Sequence, residues 1–247
     1  MPKHDLDLAD GGWRKYLGIL NPGSLWTFKS RGTGGSAKYP GNFVPEIPRQ
    51  LIPRYTCAGD HVVDLFTGSE TTFDVAHELG RTFEGCDLRP HSARTAVGDA
   101  RYWVPQTAPQ MVFMHPPYAD IIDYNAKLGA QPGDLSLPWK QFLNEFDAVA
   151  QNAYDILTPG GAAVLVIGDM YENGTYIPLG FHTAQRMNAV GFQLKAIHVK
   201  DFGNEVANKG KNANLWFLRA LRGGFPILEH EYVFVFAKPV RPKKPTP

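Results

Sequence analysis

The sequence predicts an α/β protein, a doubly wound and mostly parallel sheet that ends in an antiparallel hairpin. Three observations predict it. His61-Val62-Val63-Asp64-Leu65-Phe66, Met111-Val112-Phe113-Met114 and Ala162 to Asp169 are short, nearly unbroken apolar runs, as in strands covered on both faces. Segments of helical periodicity alternate with them, above all residues 139–157, where Phe142, Phe146, Val149, Ala153 and Leu157 recur at helical spacing. Two further strand-like stretches, Phe192 to Lys200 and His230 to Phe236, close the chain and read as an antiparallel pair.

Taken in order, residues 1–24 are polar and turn-rich, with Trp13, Tyr16, Leu17 and Ile19 as anchors of an arm packed on the main domain, residues 25–238. Lys29-Ser30-Arg31-Gly32-Thr33-Gly34-Gly35-Ser36 combines three glycines with two cations, which suits either a phosphate-tolerant loop or a plain flexible connection. Pro48 sits well in the first turn of a helix that places Ile47, Leu51 and Ile52 on one stripe. After Gly59-Asp60 the first apolar strand runs into Thr67-Gly68-Ser69-Glu70-Thr71-Thr72 and then a helical pattern through Gly80. Strand, tight glycine turn and helix is the geometry of a nucleotide-type site, with backbone donors and the helix N-terminus facing the ligand. The next strand, Arg81 to Asp87, ends in a carboxylate placed to hold a ribose hydroxyl pair. Residues 125–138 read as a surface loop or lid, residues 178–190 as a helix, and residues 239–247 as a basic, proline-rich, disordered tail.

Composition bounds the function. The 247 residues suffice for one large α/β domain, and 43% hydrophobic with 20% charged residues is ordinary for a soluble globular protein. With a net charge of +1, any nucleic-acid contact must come from a local patch. Two cysteines make no disulfide framework and fit a reducing, cytoplasmic compartment. No cysteine or histidine spacing suggests a metal site, so no metal is expected. No apolar run approaches membrane-spanning length, so no membrane partner is expected either.

The strand Met111-Val112-Phe113-Met114 stops at His115-Pro116-Pro117-Tyr118. Two prolines cannot continue a ladder and force an extended turn, and open α/β sheets bind ligands beyond the carboxyl ends of their strands. This turn resembles the catalytic tetrapeptide of the amino methyltransferases that modify the exocyclic nitrogen of adenine or cytosine in DNA, in which Asp, Asn or Ser precedes Pro-Pro-Tyr. Asp64-Leu65-Phe66-Thr67-Gly68-Ser69-Glu70-Thr71-Thr72 is similar to that family's cofactor motif, Asp-Pro-Phe-x-Gly-Ser-Gly-Thr-Thr, with Leu65 in place of Pro and Glu70 in place of the last Gly. Asn42-Phe43-Val44-Pro45 resembles the segment that covers the cofactor, Asp87 the ribose-binding acid, and Gly98-Asp99-Ala100 the adenine-holding segment.

The resemblance spans residues 25–238 and implies a Rossmann-like methyltransferase fold with S-adenosylmethionine as cofactor. It implies cofactor contacts from Asn42, Phe43, Pro45, Asp64, Phe66, Gly68, Ser69, Thr71, Thr72, Asp87, Asp99 and Ala100, and catalysis by His115, Pro116, Pro117 and Tyr118. His115 and the Pro116 carbonyl would accept from the target amine, and Tyr118 would stack on the extruded base. At an ordinary pKa near 6.5, His115 would lose its acceptor role in mild acid. DNA is the expected partner, a restriction–modification system a fitting setting, and monomer and homodimer are both open. The motif order excludes the permuted arrangement in which the catalytic motif leads, and with no large insertion between the two motifs or after the catalytic one a dedicated recognition domain is not expected. Residues 29–40, 120–138 and 201–228 remain to read DNA, with Lys29, Arg31, Lys209, Lys211, Arg219 and Arg222 as phosphate contacts and short or relaxed specificity. Adenine N6 is preferred over cytosine N4. Methylation of RNA or of a protein glutamine, or a decayed DNA-binding relative, are the alternatives.

Overall fold

The structure, a computed structural model, describes residues 12–28, 32–36, 39, 41, 44–122, 129, 131–202 and 213–240. Ten strands occur among these residues: β1 Leu25–Thr27, β2 His61–Asp64, β3 Thr82–Asp87, β4 Ala96–Val97, β5 Met111–Met114, β6 Ala162–Ile167, β7 Met170–Glu172, β8 Thr175–Ile177, β9 Gln193–Asp201 and β10 His230–Ala237. The helices are α1 Glu46–Tyr55, α2 Thr71–Glu78, α3 Trp139–Ile156, α4 Leu179–Ala189 and α5 Ala213–Gly223, preceded by a 3-10 turn at Gly12–Tyr16.

Eight strands form one sheet in the order β1-β9-β10-β6-β5-β2-β3-β4. From β6 to β4 all neighbours are parallel, whereas β10 runs antiparallel to both β6 and β9. This is the expected doubly wound sheet with its terminal hairpin. Alternation along the central strands sorts the core into two layers. Val62, Met111, Phe113, Val164, Val166, Val233 and Val235 meet α1 and α2 through Ile47, Leu51, Ile52, Val75 and Ala76. Val63, Val112, Met114, Leu165, Ile167, Phe234 and Phe236 meet α3 and α4 through Phe142, Phe146, Val149 and Met187. Because both faces are covered, β5 and β6 are buried at every residue, which is why they lack polar alternation in sequence.

Three elements go beyond the sequence reading. Leu25-Trp26-Thr27 is an edge strand parallel to β9, seated by Trp26, which is fully buried and stacks on His198 at 4.1 Å. β7 and β8 form a separate hairpin around Asn173-Gly174, both at positive φ, the pairing that a two-residue turn favours. α5 falls inside the segment taken as a DNA-contacting connection. The end of the N-terminal arm docks on α1: Gln50 accepts from the Asn21 amide at 2.7 Å and donates to the Ile19 carbonyl at 2.9 Å.

Candidate active site

β2 is where the winding reverses. The chain steps outward from it through β3 and β4, then returns to its other side with β5. Such a switch point opens a crevice beyond the strand ends. Two adjoining clefts lie there. The first is walled by the glycine turn, Asp87-Leu88-Arg89, Gly98-Asp99-Ala100, Gly133-Asp134-Leu135, Tyr39, Gly41, His115 and Pro117. The second is walled by Gly41, His115, Pro116, Tyr118, Ile121, Ile122, Phe202 and Glu231. His115 borders both.

Three carboxylates around the first cleft have different tasks, two of them on the glycine turn. Asp64 is fully buried and points into the turn, accepting from the Phe66 amide at 2.9 Å and the Thr72 hydroxyl at 2.5 Å. Burial lifts its pKa to about 6 against those hydrogen bonds. Asp64 and Thr72 are therefore off the cleft wall, a correction to their expected place beside a ligand: each satisfies the other. Asp87 is on the wall; it accepts from the Gly68 amide at 2.9 Å and the Arg89 amide at 2.8 Å, and burial raises its pKa. Asp99, also on the wall, holds the Arg101 guanidinium; burial alone would raise its pKa, but the Arg101 bonds outweigh that and lower it.

Glu70 resolves the departure in the glycine motif. It takes the left-handed conformation, φ 63°, that a glycine would adopt freely. Its side chain is buried away from the first cleft. It accepts from Ser92 at 2.6 Å, Thr95 at 3.0 Å and Arg94 at 2.5 Å, clasping the segment between β3 and β4. Burial opposes its ionisation, but these partners win and lower its pKa. The extra side chain thus leaves the wall to Gly68, Ser69 and Thr71.

The glycine-rich loop lies over the start of α2. Gly35 donates to Asp74 at 2.9 Å, and a Cβ on Gly35 would stand 2.1 Å from the Thr71 hydroxyl. The Tyr39 ring packs on Gly68, where a Cβ would stand 3.1 Å from it. Residues 32–36 are therefore packed against the nucleotide-type turn, and the plain flexible connection does not describe them. Opposite, the Arg89 guanidinium pairs with Asp134 at 2.8 Å and donates to the Gly129 carbonyl, drawing the described part of the 125–138 loop onto the rim. Leu135 is buried there.

On the proline turn, Tyr118 donates to Glu231 Oε2 at 2.7 Å, and His115 Nε2 stands 3.1 Å from the same hydroxyl. Lys200 Nζ lies 3.3 Å from Glu231 Oε1, with both side chains buried. Ala119 follows at φ 51°, fully buried, so the turn carries backbone strain of the kind functional sites retain. Burial lowers the His115 pKa to about 4; Glu231 opposes this and Lys200 assists. The expectation of an ordinary histidine, charged in mild acid, is thereby corrected.

Of the residues singled out in sequence, Phe66, Gly68, Ser69, Thr71, Asp87, Asp99, Ala100 and His115 to Tyr118 converge on the two clefts. Pro45 is buried at the start of α1. Arg219 and Arg222 are exposed on α5, whose end reaches the β7–β8 hairpin through Phe225 against Tyr171. Asn42, Phe43, Lys29, Arg31, Lys209 and Lys211 lie outside the described residues. The sequence reading missed Tyr39, Arg89, Asp134, Phe202 and Glu231; only Arg89 adjoins a recognised motif. Among the described residues no acidic, histidine or cysteine cluster could hold a metal, and no helix is long and apolar enough to cross a membrane.

Residues 19–98 match the DNA methylase family. A type II methyltransferase, M.XycI of Xanthomonas campestris pv. cyanopsidis, is 33% identical over 89 residues, which cover 36% of this chain and 27% of that protein. A presumed DNA modification methylase of Thermus thermophilus, solved with S-adenosyl-L-methionine, shares 20% identity at a TM-score of 0.40, covering 75% of this chain and 59% of that one. A SAM-dependent methyltransferase of Methanosarcina mazei shares 11% identity at a TM-score of 0.49, covering 77% of this chain and 98% of that one.

Proposed function

We propose, from the match of residues 19–98 to the DNA methylase family, that this chain transfers a methyl group from S-adenosylmethionine to the exocyclic amine of a DNA base, adenine N6 in preference to cytosine N4. The observation that carries this reading is the placement of His115 on the shared wall of two clefts at the switch point. One cleft has the furniture for a nucleoside-type ligand, the other an aromatic and aliphatic wall for a flat base.

The residues of the first cleft fit the cofactor. Asp87 offers carboxylate acceptors for ribose hydroxyls and Asp99 for an adenine amine, between the apolar Leu65, Leu88, Ala100 and Leu135. Thr67, on the same wall, has a buried hydroxyl without a partner among the described residues. The bound cofactor supplies an electrophilic methyl carbon on a sulfonium. The chain supplies orientation and acceptors. An aromatic amine is a weak nucleophile because its lone pair is shared with the ring. Acceptors on the amino protons, here His115 and the Pro116 carbonyl, favour localisation of that pair on nitrogen as the bond forms. A base in a duplex cannot present its amine to a recessed site, so the target base is extruded into the second cleft.

Glu70 supports a working site, because its carboxylate is engaged by Ser92, Arg94 and Thr95 and leaves the cleft open. Incubation with tritiated cofactor and plasmid DNA, then nucleoside analysis, tests the proposal. Label in N6-methyladenine is expected. Label in N4-methylcytosine would change the base, and label in neither would overturn the reading.

A further inference from the structure

β6 ends beside the second cleft, and the β7–β8 hairpin rises from that point. A Cβ on Gly168, the residue after β6, would stand 3.0 Å from the Tyr118 ring on the cleft wall. β7 begins two residues later and pairs with β8 through Met170 with Ile177, Tyr171 with Tyr176 and Glu172 with Thr175. Met170 and Ile177 are buried at the foot of this hairpin, whereas Asn173, Gly174, Thr175 and Tyr176 are exposed at its tip. Several elements brace the stem. Asp169, itself buried, accepts from the Tyr176 and Tyr232 hydroxyls and from the Gly180 amide near the start of α4. The Trp139 indole at the start of α3 donates to Glu172 at 3.1 Å, and the Tyr171 hydroxyl donates to the Pro226 carbonyl at 3.1 Å. A ribbon with an anchored foot and an exposed polar tip loses little freedom on meeting a partner.

We propose that the β7–β8 hairpin enters the major groove of duplex DNA and reads bases beside the extruded one through Asn173 and Thr175. The proposal rests on the DNA-methylation reading above and names a sequence-reading element for it, outside the segments that the sequence offers for that task. A two-stranded ribbon fits the major groove, which is about 12 Å wide. The tip carries suitable chemistry. An asparagine amide matches the donor and acceptor on an adenine edge, and a threonine brings a hydroxyl and a methyl. Neither is charged, so the tip suits base edges better than phosphates. Cations stand on the neighbouring element. Arg219 and Arg222 are exposed on α5, and Phe225, two residues beyond its end, packs on Tyr171 at 5.3 Å. Glu172, the acidic residue of the hairpin, is engaged by Trp139. Reach sets the footprint. Asn173 follows Gly168 by five residues. At about 3.3 Å per strand residue, the tip lies within roughly 16 Å of the cleft, or about five base pairs of duplex.

Two experiments on the full chain test this. The first maps the methylated sites in plasmid DNA, base by base, for the parent, Asn173→Gly and Thr175→Val. Asn173 stands at φ 50°, which glycine adopts freely, so that variant keeps the turn. Valine keeps the β-branch that suits a strand. Each variant should relax discrimination at a position within about five base pairs of the target, by roughly fivefold to a hundredfold, the range for one lost base contact. Cofactor affinity should stay unchanged, which also shows that the variants are folded. A parent with no preference in that span, or a preference unchanged in both variants, overturns the proposal. The second experiment irradiates the parent on duplex DNA carrying bromodeoxyuridine for thymidine, whose bromine takes the place of the C5-methyl in the major groove. Peptides containing residues 171–176 should carry the crosslink, and crosslinks confined to other segments overturn the groove placement. A parent that methylates no DNA defeats the functional reading instead, while the crosslink still decides whether the hairpin meets the groove.

Discussion

Under the proposed reaction, acid should leave methyl transfer intact well below the range in which free histidine charges. The perturbation is protonation of His115. A protonated ring would present donors to an amine that is itself a donor, and would put positive charge beside a nitrogen becoming positive. Burial moves the His115 pKa from 6.5 to about 4. That displacement corresponds to roughly 3 kcal/mol against the imidazolium, a ceiling because water in the open clefts returns part of it. The charged groups facing the ring are Glu231, which favours the imidazolium, and Lys200, which opposes it. Binding of a sulfonium cofactor and a base would expel cleft water and add positive charge, so both push the same way. Single-turnover rates with saturating DNA should therefore be flat from pH 8 to about pH 5 and fall only near pH 4, and His115→Asn should lack that limb. Stability carries the matching sign. The unfolded chain binds a proton at His115 that the folded chain refuses. The contribution is thus complete above pH 6.5 and is lost as pH falls toward 4. A rate limb centred near 6.5 in the parent and absent in His115→Asn would refute the burial argument.

Three other perturbations have defined outcomes. Glu70→Gly and Glu70→Ala both release Ser92, Arg94 and Thr95, costing on the order of 1–3 kcal/mol in urea unfolding. The alanine variant should be worse by about 1 kcal/mol because it keeps the left-handed strain; a glycine variant more stable than the parent would deny the clasp any value. Asp87→Ala should weaken cofactor binding by on the order of 1.5–3 kcal/mol in calorimetry, since the Gly68 amide also loses its acceptor, and unchanged affinity would remove Asp87 from the site. Replacing Arg219 and Arg222 with alanine should reduce the slope of log DNA affinity against log salt by about 2 if both meet phosphate, and an unchanged slope would take α5 off the DNA.

The sheet was legible because its signal is local. β2, β5 and β6 are apolar runs that only burial on both faces explains, and the stripes of α1 and α3 repeat at helical spacing. β1 escaped because three residues carry no period; Trp26 is a strand residue only because His198, 172 positions on, offers a ring to stack against. The β7–β8 hairpin is a different kind of miss. Asn173-Gly174 is a strong local turn signal, but it lies just after β6 and was absorbed into the approach to the next helix. α5 went unseen inside a stretch judged by its cations, although Leu218 and Leu221 recur at helical spacing there.

For the site, motif spacing located the walls and failed on the roles. Asp64 and Asp87 look equivalent in sequence, each a carboxylate closing a strand, yet one turns inward to Thr72 and the other faces the cleft. The difference lies in the glycine turn, which curls over β2 and leaves the end of β3 open. Glu70 and His115 looked like two defects in a family pattern. Each is answered by residues that no motif includes: Glu70 by Ser92, Arg94 and Thr95, and His115 through Tyr118 by Glu231, which stands 113 positions from that tyrosine. A residue that departs from a pattern is thus interpretable only together with the partner that accommodates it. Here the partners sit on the β3–β4 connection and on the antiparallel hairpin. Both residues stand where the resembled pattern has a self-sufficient one, a glycine or an oxygen acceptor, and each leans on distant partners. Returning His115 to asparagine should therefore make the rate far less sensitive to Glu231→Gln than it is in the parent, and equal sensitivity in both backgrounds would mean that the hairpin acts on something other than the histidine.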